Sequence, residues 1–233
     1  ARRDGAQVAG GADVVALARR PGGAVAGLVT SAGRVAAPVV VNAAGPWSGE
    51  VATRLGTSVP VRPRRGRILV TEPLPDAVIR HKVYEADYVG AVVSDSAALQ
   101  CSAVVEGTAS GTVLIGSSRD AAGFSAAPDP AALAEMARRA VRLFPFLAGV
   151  RAIRTYTGFR PASPDHLPVI GADQAVPGLF HATGHEGAGI GLAPATAELI
   201  TALVAGTVPP VDPAPFAPAR FAVEVQGQCA LNG

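Results

Sequence analysis

Hydrophobic residues along the chain change spacing repeatedly, which predicts strands alternating with helices. Three short runs of β-favouring residues separated by Pro-Gly and Ala-Gly turns predict an antiparallel meander: Asp13–Leu17, Ala24–Thr30 and Arg34–Ala36. The unbroken β-branched run Val39–Val41 is typical of a strand buried on both faces. Further strands are predicted at Gly66–Thr71, Ala98–Val105, Thr112–Ser117, Arg151–Phe159, Val169–Gly171 and Gly178–Thr183.

Helical spacing occurs in three segments. A short helix opens at Pro46 and ends at Gly56, and its Trp47 is interpreted as a core residue rather than a ligand contact. A longer helix begins after the N-cap Asp129 and stops at Pro145. The last runs from the glycine-rich segment to Gly206, while Ala1–Gly5 resembles the final turn of a helix whose earlier turns lie outside the sequence.

Composition narrows the class of protein. Hydrophobic residues make up 49% and charged residues 16% of the 233-residue chain, which excludes disorder over most of it. The net charge is +2 with scattered basic residues, so no nucleic-acid partner is expected. The longest apolar stretches are interrupted by Asn42, Pro46, Pro194 and Glu198, which argues against a membrane span. Cys101 and Cys229 are far apart, as expected for free thiols in the cytoplasm.

The segment Gly184–Gly191 is the most informative candidate site, because it holds four glycines between a buried strand and a helix. Glycine permits close approach of a ligand, and the helix N-terminus favours negative charge there. Tight packing of strand against helix explains the glycines equally well, and G-x-G-x-x-G occurs nowhere in the chain. Both interpretations stay open.

Two further positions carry candidate chemistry. The turn Asn42–Gly45 follows a buried strand, where α/β proteins place cofactors, although an ordinary strand-to-helix turn explains it. Arg160 ends a strand and offers a bidentate grip on a carboxylate, with a structural salt bridge as the alternative. His166, His181 and His185 lack the spacing of metal ligands, so no metal site is expected. The chain has no nucleophile elbow or P-loop.

Five ordered motifs resemble the D-amino-acid oxidase family of FAD-dependent oxidoreductases, which includes glycine and sarcosine oxidases. They are Val39–Ser48, Pro63–Arg67, Thr157–Pro161, Asp165–Gly171 and Ala182–Pro194. The version of the last motif is most similar to that of the small flavoprotein subunits of opine or hydroxyproline dehydrogenases. The resemblance covers most of residues 1–206.

This resemblance implies a mixed α/β fold, the C-terminal part of an FAD-binding Rossmann-like domain with an interleaved mixed-sheet substrate domain. The implied division is 1–60 and 159–213 for the FAD-binding part, 61–158 for the substrate domain and 214–233 for a tail of unknown structure. The family's strand, G-x-G-x-x-G turn and first helix have no counterpart here, so the chain is predicted to be a fragment or a truncated product.

The resemblance also implies an activity: oxidation of a C–N bond in an amino acid or amine, with hydride transfer to FAD. Arg160 matches the residue that binds the substrate carboxylate, and Tyr84, Tyr88 or Tyr156 are candidates to line the pocket. The implied partners are a larger flavoprotein and an iron-sulfur subunit. The residues implied to lie near FAD are Ala43, Ala44, Gly45, Gly187, Ala188, Gly189, Ile190 and Gly191.

Two other functions remain as alternatives. One is a non-catalytic remnant that cannot hold FAD alone and docks on a partner subunit. The other is a tRNA-modifying flavoenzyme with a related domain, which the scattered distribution of basic residues disfavours.

Overall fold

The structure is a computed structural model that describes residues 2–75, 78–92, 94, 96 and 98–221. The described strands are β1 Val14–Arg19, β2 Val25–Thr30, β3 Gly33–Ala36, β4 Val40–Asn42, β5 Arg62–Thr71, β6 Val83–Tyr84, β7 Gln100–Gly107, β8 Val113–Arg119, β9 Ala152–Ala162, β10 Val169–Ala172 and β11 Leu179–Thr183. The described α-helices are α1 Ser48–Arg54, α2 Asp87–Val92, α3 Pro130–Leu143 and α4 Gly189–Ala205.

The chain divides into two compact units. Unit 1 consists of Ala1–Arg62 together with Pro161–Gly233, and unit 2 is Pro63–Arg160. Residues 222–233, the last twelve of the predicted tail 214–233, lie outside the described part of the chain.

Unit 1 contains two small sheets. The predicted antiparallel meander is confirmed as β1-β2-β3, and the second sheet has the order β10-β11-β4. In that sheet β11 runs antiparallel to β10 and parallel to β4, with Leu179 opposite Val40 and His181 opposite Asn42. A mixed sheet with one parallel pair fits the expected mixed α/β class.

The core of unit 1 holds α1 against these sheets. Leu55, just after α1, packs with Val25 of the meander and with Val40 and Leu179 of the parallel pair. Ala52 packs with Val59, Val61 and Val169 in an adjoining cluster. Because α1 contributes to both clusters, it fixes the turn that links β4 to the helix.

Helix α4 is much less buried. Leu199 and Ala202 are its buried residues, whereas Ile190 is 96% exposed. In the described part of the chain, the segment Glu186–Ala205 is long and apolar enough to cross a membrane by length and composition alone, and 11% of its most apolar 18-residue stretch is buried. That is weak evidence for a span, because core helices of soluble proteins meet the same criterion.

Unit 2 is a five-stranded sheet with the order β6-β7-β8-β5-β9, and α3 packs on it. Met136 and Ala140 of α3 are fully buried against Val105 and Ile115 of the sheet. The predicted N-cap is confirmed, since Asp129 Oδ1 accepts a hydrogen bond of 3.0 Å from the Ala132 amide.

Three predictions about local structure were wrong or incomplete. Val41 is 40% exposed, because β4 is an edge strand whose second face is uncovered among the described residues. Trp47 is 49% exposed and lies in a 3-10 turn before α1, so it is not a core residue here. Helix α2 was not predicted, because its six residues are too few to show a helical period.

Candidate functional site

The two predicted glycine segments meet in unit 1 at the carboxyl ends of β4 and β11. Because these strands are parallel neighbours, the turn Ala43–Gly45 and the segment from Gly184 begin at the same edge of the sheet. Two hydrogen bonds join them. Ser48 Oγ donates to Thr183 Oγ1 at 2.8 Å, and Thr183 Oγ1 donates to the Gly45 carbonyl at 3.1 Å.

The glycines of Gly184–Gly191 serve two purposes. Gly184 has φ +78°, and a Cβ there would lie 3.1 Å from Val169. Gly189 is also close to its surroundings, since a Cβ would lie 3.3 Å from the His185 side chain. At Gly187 and Gly191, by contrast, an added Cβ would meet no other atom within 4 Å, so their surface is open. Close packing therefore explains the glycines at positions 184 and 189, whereas the backbone at Gly187 and Gly191 is accessible to a ligand.

Helix α4 begins without a side-chain cap. Its N-cap, Ala188, provides no side-chain acceptor, and the first turn of the helix holds no acidic residue. The first amides of a helix have no partner within it and carry the positive end of its dipole. Burial lowers the pKa of His185, which keeps the imidazole neutral beside this end. The backbone amides at the start of α4 therefore suit the electron-rich edge of a planar cofactor such as a flavin.

A contact that the sequence did not reveal holds the segment before α4. His166 Nδ1 lies 2.7 Å from Glu186 Oε1, and both residues have positive φ angles, 60° and 46°. Non-glycine residues in that region are strained and are often found at ligand sites. The pair connects the proline-rich loop after β9 to the residue that precedes Gly187.

Below this edge, a buried polar network fixes β4 against β11. His181 is fully buried, with Nε2 3.0 Å from Asp173 Oδ2 and Nδ1 3.4 Å from Asn42 Nδ2. Because the Asn42 amide donates, Nδ1 accepts and the proton of a neutral imidazole lies on Nε2. Thr57 also donates to Asp173 at 2.6 Å. Every polar group of this network has a partner, as expected for a structural role.

The pKa of Asp173 reflects these contacts. Burial opposes its ionisation, but the hydrogen bonds from Thr57 and His181 outweigh burial and hold the pKa below its ordinary value. Asp173 therefore stays ionised and acts as the acceptor of the network.

Arg160 lies on β9 in unit 2, whereas the glycine segments belong to unit 1. Its Nη1 donates to the Ser118 carbonyl at 3.1 Å. A Cβ on Gly66 would lie 2.5 Å from Nη1 and 2.8 Å from Nη2, so the guanidinium lies directly over the β5 backbone. Glycine at position 66 thus leaves the space that Arg160 occupies.

Further arginines are buried beside this position. Arg65 and Arg67 each lie 2.9 Å from Asp120, and Arg67 is also 3.5 Å from Asp129. Although burial opposes ionisation of Asp120, hydrogen bonds from Arg65 and Arg67 hold its pKa below the ordinary value. Arg119 is another buried arginine, 3% exposed, whose guanidinium lies 4.7 Å from the centre of the Tyr88 ring. Arg119 was not predicted from the sequence, because the burial of a single arginine leaves no pattern in it.

The other candidate groups are less suited to chemistry. Tyr84 contacts Tyr88, and Tyr156 lines a cavity of about 220 Å³ together with Arg67 and Asp129. Burial raises the pKa of the Cys101 thiol, which keeps it protonated and a poor nucleophile. No cluster of three potential metal ligands occurs among the residues that the structure describes.

These features define a class of protein. It is an α/β protein in which helix α4 begins without a side-chain cap at the carboxyl ends of two parallel strands, and in which a second unit contains several buried arginines. A family model described as FAD dependent oxidoreductase matches residues 1–203. The chain belongs to this family, which confirms the resemblance found in the sequence.

Relatives of known function agree with this assignment. The chain is 34% identical over 200 residues to glycine oxidase from Pseudomonas aeruginosa, covering 86% of this chain and 50% of that protein. It is 32% identical over 226 residues to hydrogen cyanide synthase subunit HcnC from the same organism, covering 96% of this chain and 50% of that protein. The chain thus spans about half the length of the curated relatives it matches.

Solved structures show the same fold. Glycine oxidase from Geobacillus kaustophilus matches with a TM-score of 0.74 and 26% identity, covering 88% of this chain and 51% of that one. L-proline dehydrogenase from P. horikoshii matches with a TM-score of 0.78 and 23% identity, covering 91% and 54%. The expected class, a mixed α/β fold of Rossmann-like FAD-dependent oxidoreductases, is confirmed.

Proposed function

We propose that the protein containing this chain oxidises the C–N bond of an amino acid or secondary amine, with FAD as its cofactor. Bound FAD would supply the acceptor for a hydride from the substrate carbon, and the imine product would hydrolyse. The observation that carries this proposal is the uncapped start of α4, joined through Thr183 to the turn after β4. Family membership supplies the cofactor class.

In this proposal unit 1 holds the flavin. Ala43–Gly45 would lie beside the cofactor, and the amides of Gly187, Gly189, Ile190 and Gly191 would hold the pyrimidine edge of its ring. The Ala188 amide is excluded because it donates to the His185 carbonyl at 3.0 Å. Gly187 and Gly191 support this role because a side chain at either position would project into open space. The positive end of α4 stabilises negative charge that develops on the ring during reduction.

Unit 2 supplies the substrate contact. Arg160 binds the substrate carboxylate through two parallel N–H···O bonds, which fix orientation as well as charge. The bond from Nη1 to the Ser118 carbonyl and the absence of a side chain at Gly66 support a fixed position for the guanidinium. Units 1 and 2 then correspond to the FAD-binding and substrate domains, respectively.

The test is reduction of the flavin by substrate. In the FAD-loaded protein, anaerobic addition of glycine, N-methylglycine or proline should bleach the visible flavin band. Replacement of Arg160 by Gln should raise the half-saturating concentration of the reactive substrate by about tenfold to a hundredfold, because a charge-assisted pair contributes about 1.5–3 kcal/mol.

The matched control is Arg142→Gln, which removes an exposed arginine from α3 of the same unit. It should leave half-saturation unchanged. An Arg160→Gln variant that behaves like this control would contradict the assigned role of Arg160.

A second proposal concerns assembly: the protein acts as one subunit of a larger complex, with a larger flavoprotein and an iron-sulfur subunit as partners. Similarity to HcnC, which is named as a subunit, supports it. Affinity purification of the tagged protein from its own organism should recover a chain with a visible iron-sulfur spectrum. Recovery of the flavoprotein alone, with full activity towards oxygen, would contradict it.

We place the protein in the cytoplasm, where Cys101 stays a free thiol.

A further inference from the structure

Arg119 stands out because its charge is buried and has no anionic partner among the residues that the structure describes. The residue is 3% exposed, and its Nε has no hydrogen-bond acceptor among the residues that the structure describes. In that part of the chain no carboxylate pairs with it, and its one assigned side-chain contact is the face of Tyr88. A cation–π contact offsets only part of the cost of removing a guanidinium from water.

Arg67 provides a direct comparison, because it is equally buried in the same sheet. Its Nε, like that of Arg119, has no partner among the described residues, but Asp120 and Asp129 neutralise its charge at 2.9 and 3.5 Å. These carboxylates are thus already engaged with Arg67, and Asp120 also binds Arg65. A buried charge that persists without such a partner indicates a ligand that supplies the missing one.

The surroundings of Arg119 offer further unused polar atoms. Gln100 lies opposite Arg119 in the β7–β8 pairing, and its Oε1 is buried with no partner among the described residues. Ser117 Oγ, two residues earlier on β8, is likewise buried and has no partner among the described residues. The end of this strand pair therefore presents two donors for an anionic group, the Arg119 guanidinium and the Ser117 hydroxyl. Gln100 Oε1 is an acceptor, which an N–H group of the same ligand would satisfy.

This position adjoins the proposed substrate contact. Arg160 Nη1 donates to the carbonyl of Ser118, the residue immediately before Arg119. We propose that Arg119 is a specificity-determining residue that binds a second anionic group of the substrate, so that the preferred substrates are amino acids or N-substituted amino acids with two carboxylates. This inference rests on the proposed function, in which Arg160 binds the first carboxylate.

The first test is the thermal stability of the full 233-residue chain without ligand. Arg119→Met removes an uncompensated buried charge and puts an unbranched apolar side chain in its place. The melting temperature should therefore rise by about 2–4 °C. Arg67→Met is the matched control and should lower it, because Asp120 and Asp129 lose a partner. A fall with Arg119→Met as large as that with Arg67→Met would overturn the proposal, since it would reveal a structural role.

The second test compares ligands that differ by one carboxylate, at constant ionic strength. The pairs are iminodiacetate with N-ethylglycine, aspartate with asparagine, and glutamate with glutamine. For at least one pair, the dicarboxylate should bind the wild-type chain at least tenfold more tightly in calorimetry. Arg119→Met should abolish that preference while leaving affinity for the neutral analogue unchanged.

Arg160→Gln separates this inference from the proposed function. It should weaken both members of the pair, whereas Arg119→Met weakens only the dicarboxylate. If Arg160→Gln leaves both affinities unchanged while Arg119→Met removes the preference, the proposed role of Arg160 is wrong and an anion site at Arg119 remains. No charge preference in any pair, or an equal preference in wild type and Arg119→Met, would overturn the role of Arg119.

Discussion

Two buried polar clusters, one in each unit, differ in how completely their hydrogen bonds are made. In unit 1, Asp173 accepts from Thr57, His181 and two backbone amides, and both nitrogens of His181 have partners. In unit 2, Arg119 and Gln100 each keep a buried atom without a partner among the described residues. A complete network stabilises a fold, whereas an incomplete one marks a position where a ligand completes it.

The largest effect should come from breaking the complete network. Asp173→Ala leaves a fully buried donor on His181 and a half-buried donor on Thr57 without an acceptor, so the free energy of unfolding at neutral pH should fall by about 3–5 kcal/mol. Urea denaturation measures it. Glu198→Ala removes an exposed carboxylate and should change stability by less than about 0.5 kcal/mol. Equal losses of stability in Asp173→Ala and Glu198→Ala would show that the buried network does not stabilise the fold more than an exposed carboxylate does.

Acid should weaken both clusters, by less than truncation does. The pKa values of Asp173 and Asp120 are held below their ordinary values in the folded protein. Their contribution is therefore complete above the unfolded pKa of about 3.9 and is lost as pH falls through the folded values. The urea concentration at the unfolding midpoint should decrease once the pH drops below about 4. The decrease should be less steep in Asp173→Asn than in the wild type. A midpoint that rises in acid would contradict this sign.

A smaller effect, on binding rather than on stability, should follow from Gly66→Ala. The new methyl group would occupy the space of the Arg160 guanidinium, which can swing away at little cost to the fold. Since misplacing a positioning group by about 1 Å can cost as much as 100-fold, kcat/KM should fall by about tenfold to a hundredfold.

Gly158→Ala on β9 is the control for Gly66→Ala, because nothing lies within 4 Å of its Cβ position. Steady-state kinetics and melting curves of both variants make the comparison. A similar kcat/KM for the two variants would show that Gly66 does not keep space for Arg160.

The smallest effect is expected where a charged pair is exposed. Lys82 lies 3.3 Å from Glu106, and both side chains are about half exposed. Lys82→Ala should change the free energy of unfolding by less than about 1 kcal/mol, and salt should reduce even this change. A loss comparable to that of Asp173→Ala would remove the distinction between buried and exposed pairs.

Patterning predicted much of this fold. The meander β1-β2-β3 and helix α3 follow from alternation, turn residues and an Asp-Pro helix start, all of which act locally. Helix α2 was missed because its six residues are too few to show a helical period. Contacts distant in sequence support it, such as the ion pair between Asp87 and Arg139 of α3. The exposure of Val41 and Trp47 depends on which elements cover them, and a residue's own type does not show this.

The candidate site divides in the same way. Gly187, Gly191 and Arg160 stand in recognisable motifs, and the structure gives them open backbone or a defined hydrogen bond. Arg119 has no motif, and His166 and Glu186 are twenty positions apart. Their proximity to other groups arises only when strands and loops assemble, so sequence reasoning had no signal for them.

The central claim, that the start of α4 holds a flavin, is tested most directly by flavin retention. The protein is purified with excess FAD after joining residues 1–203 to the unmatched half of Pseudomonas aeruginosa glycine oxidase. Wild type should keep the visible flavin band. Gly191→Glu, which places a negative charge in open space at the helix start, should lose it at a similar melting temperature. Equal flavin content in both proteins would contradict the account.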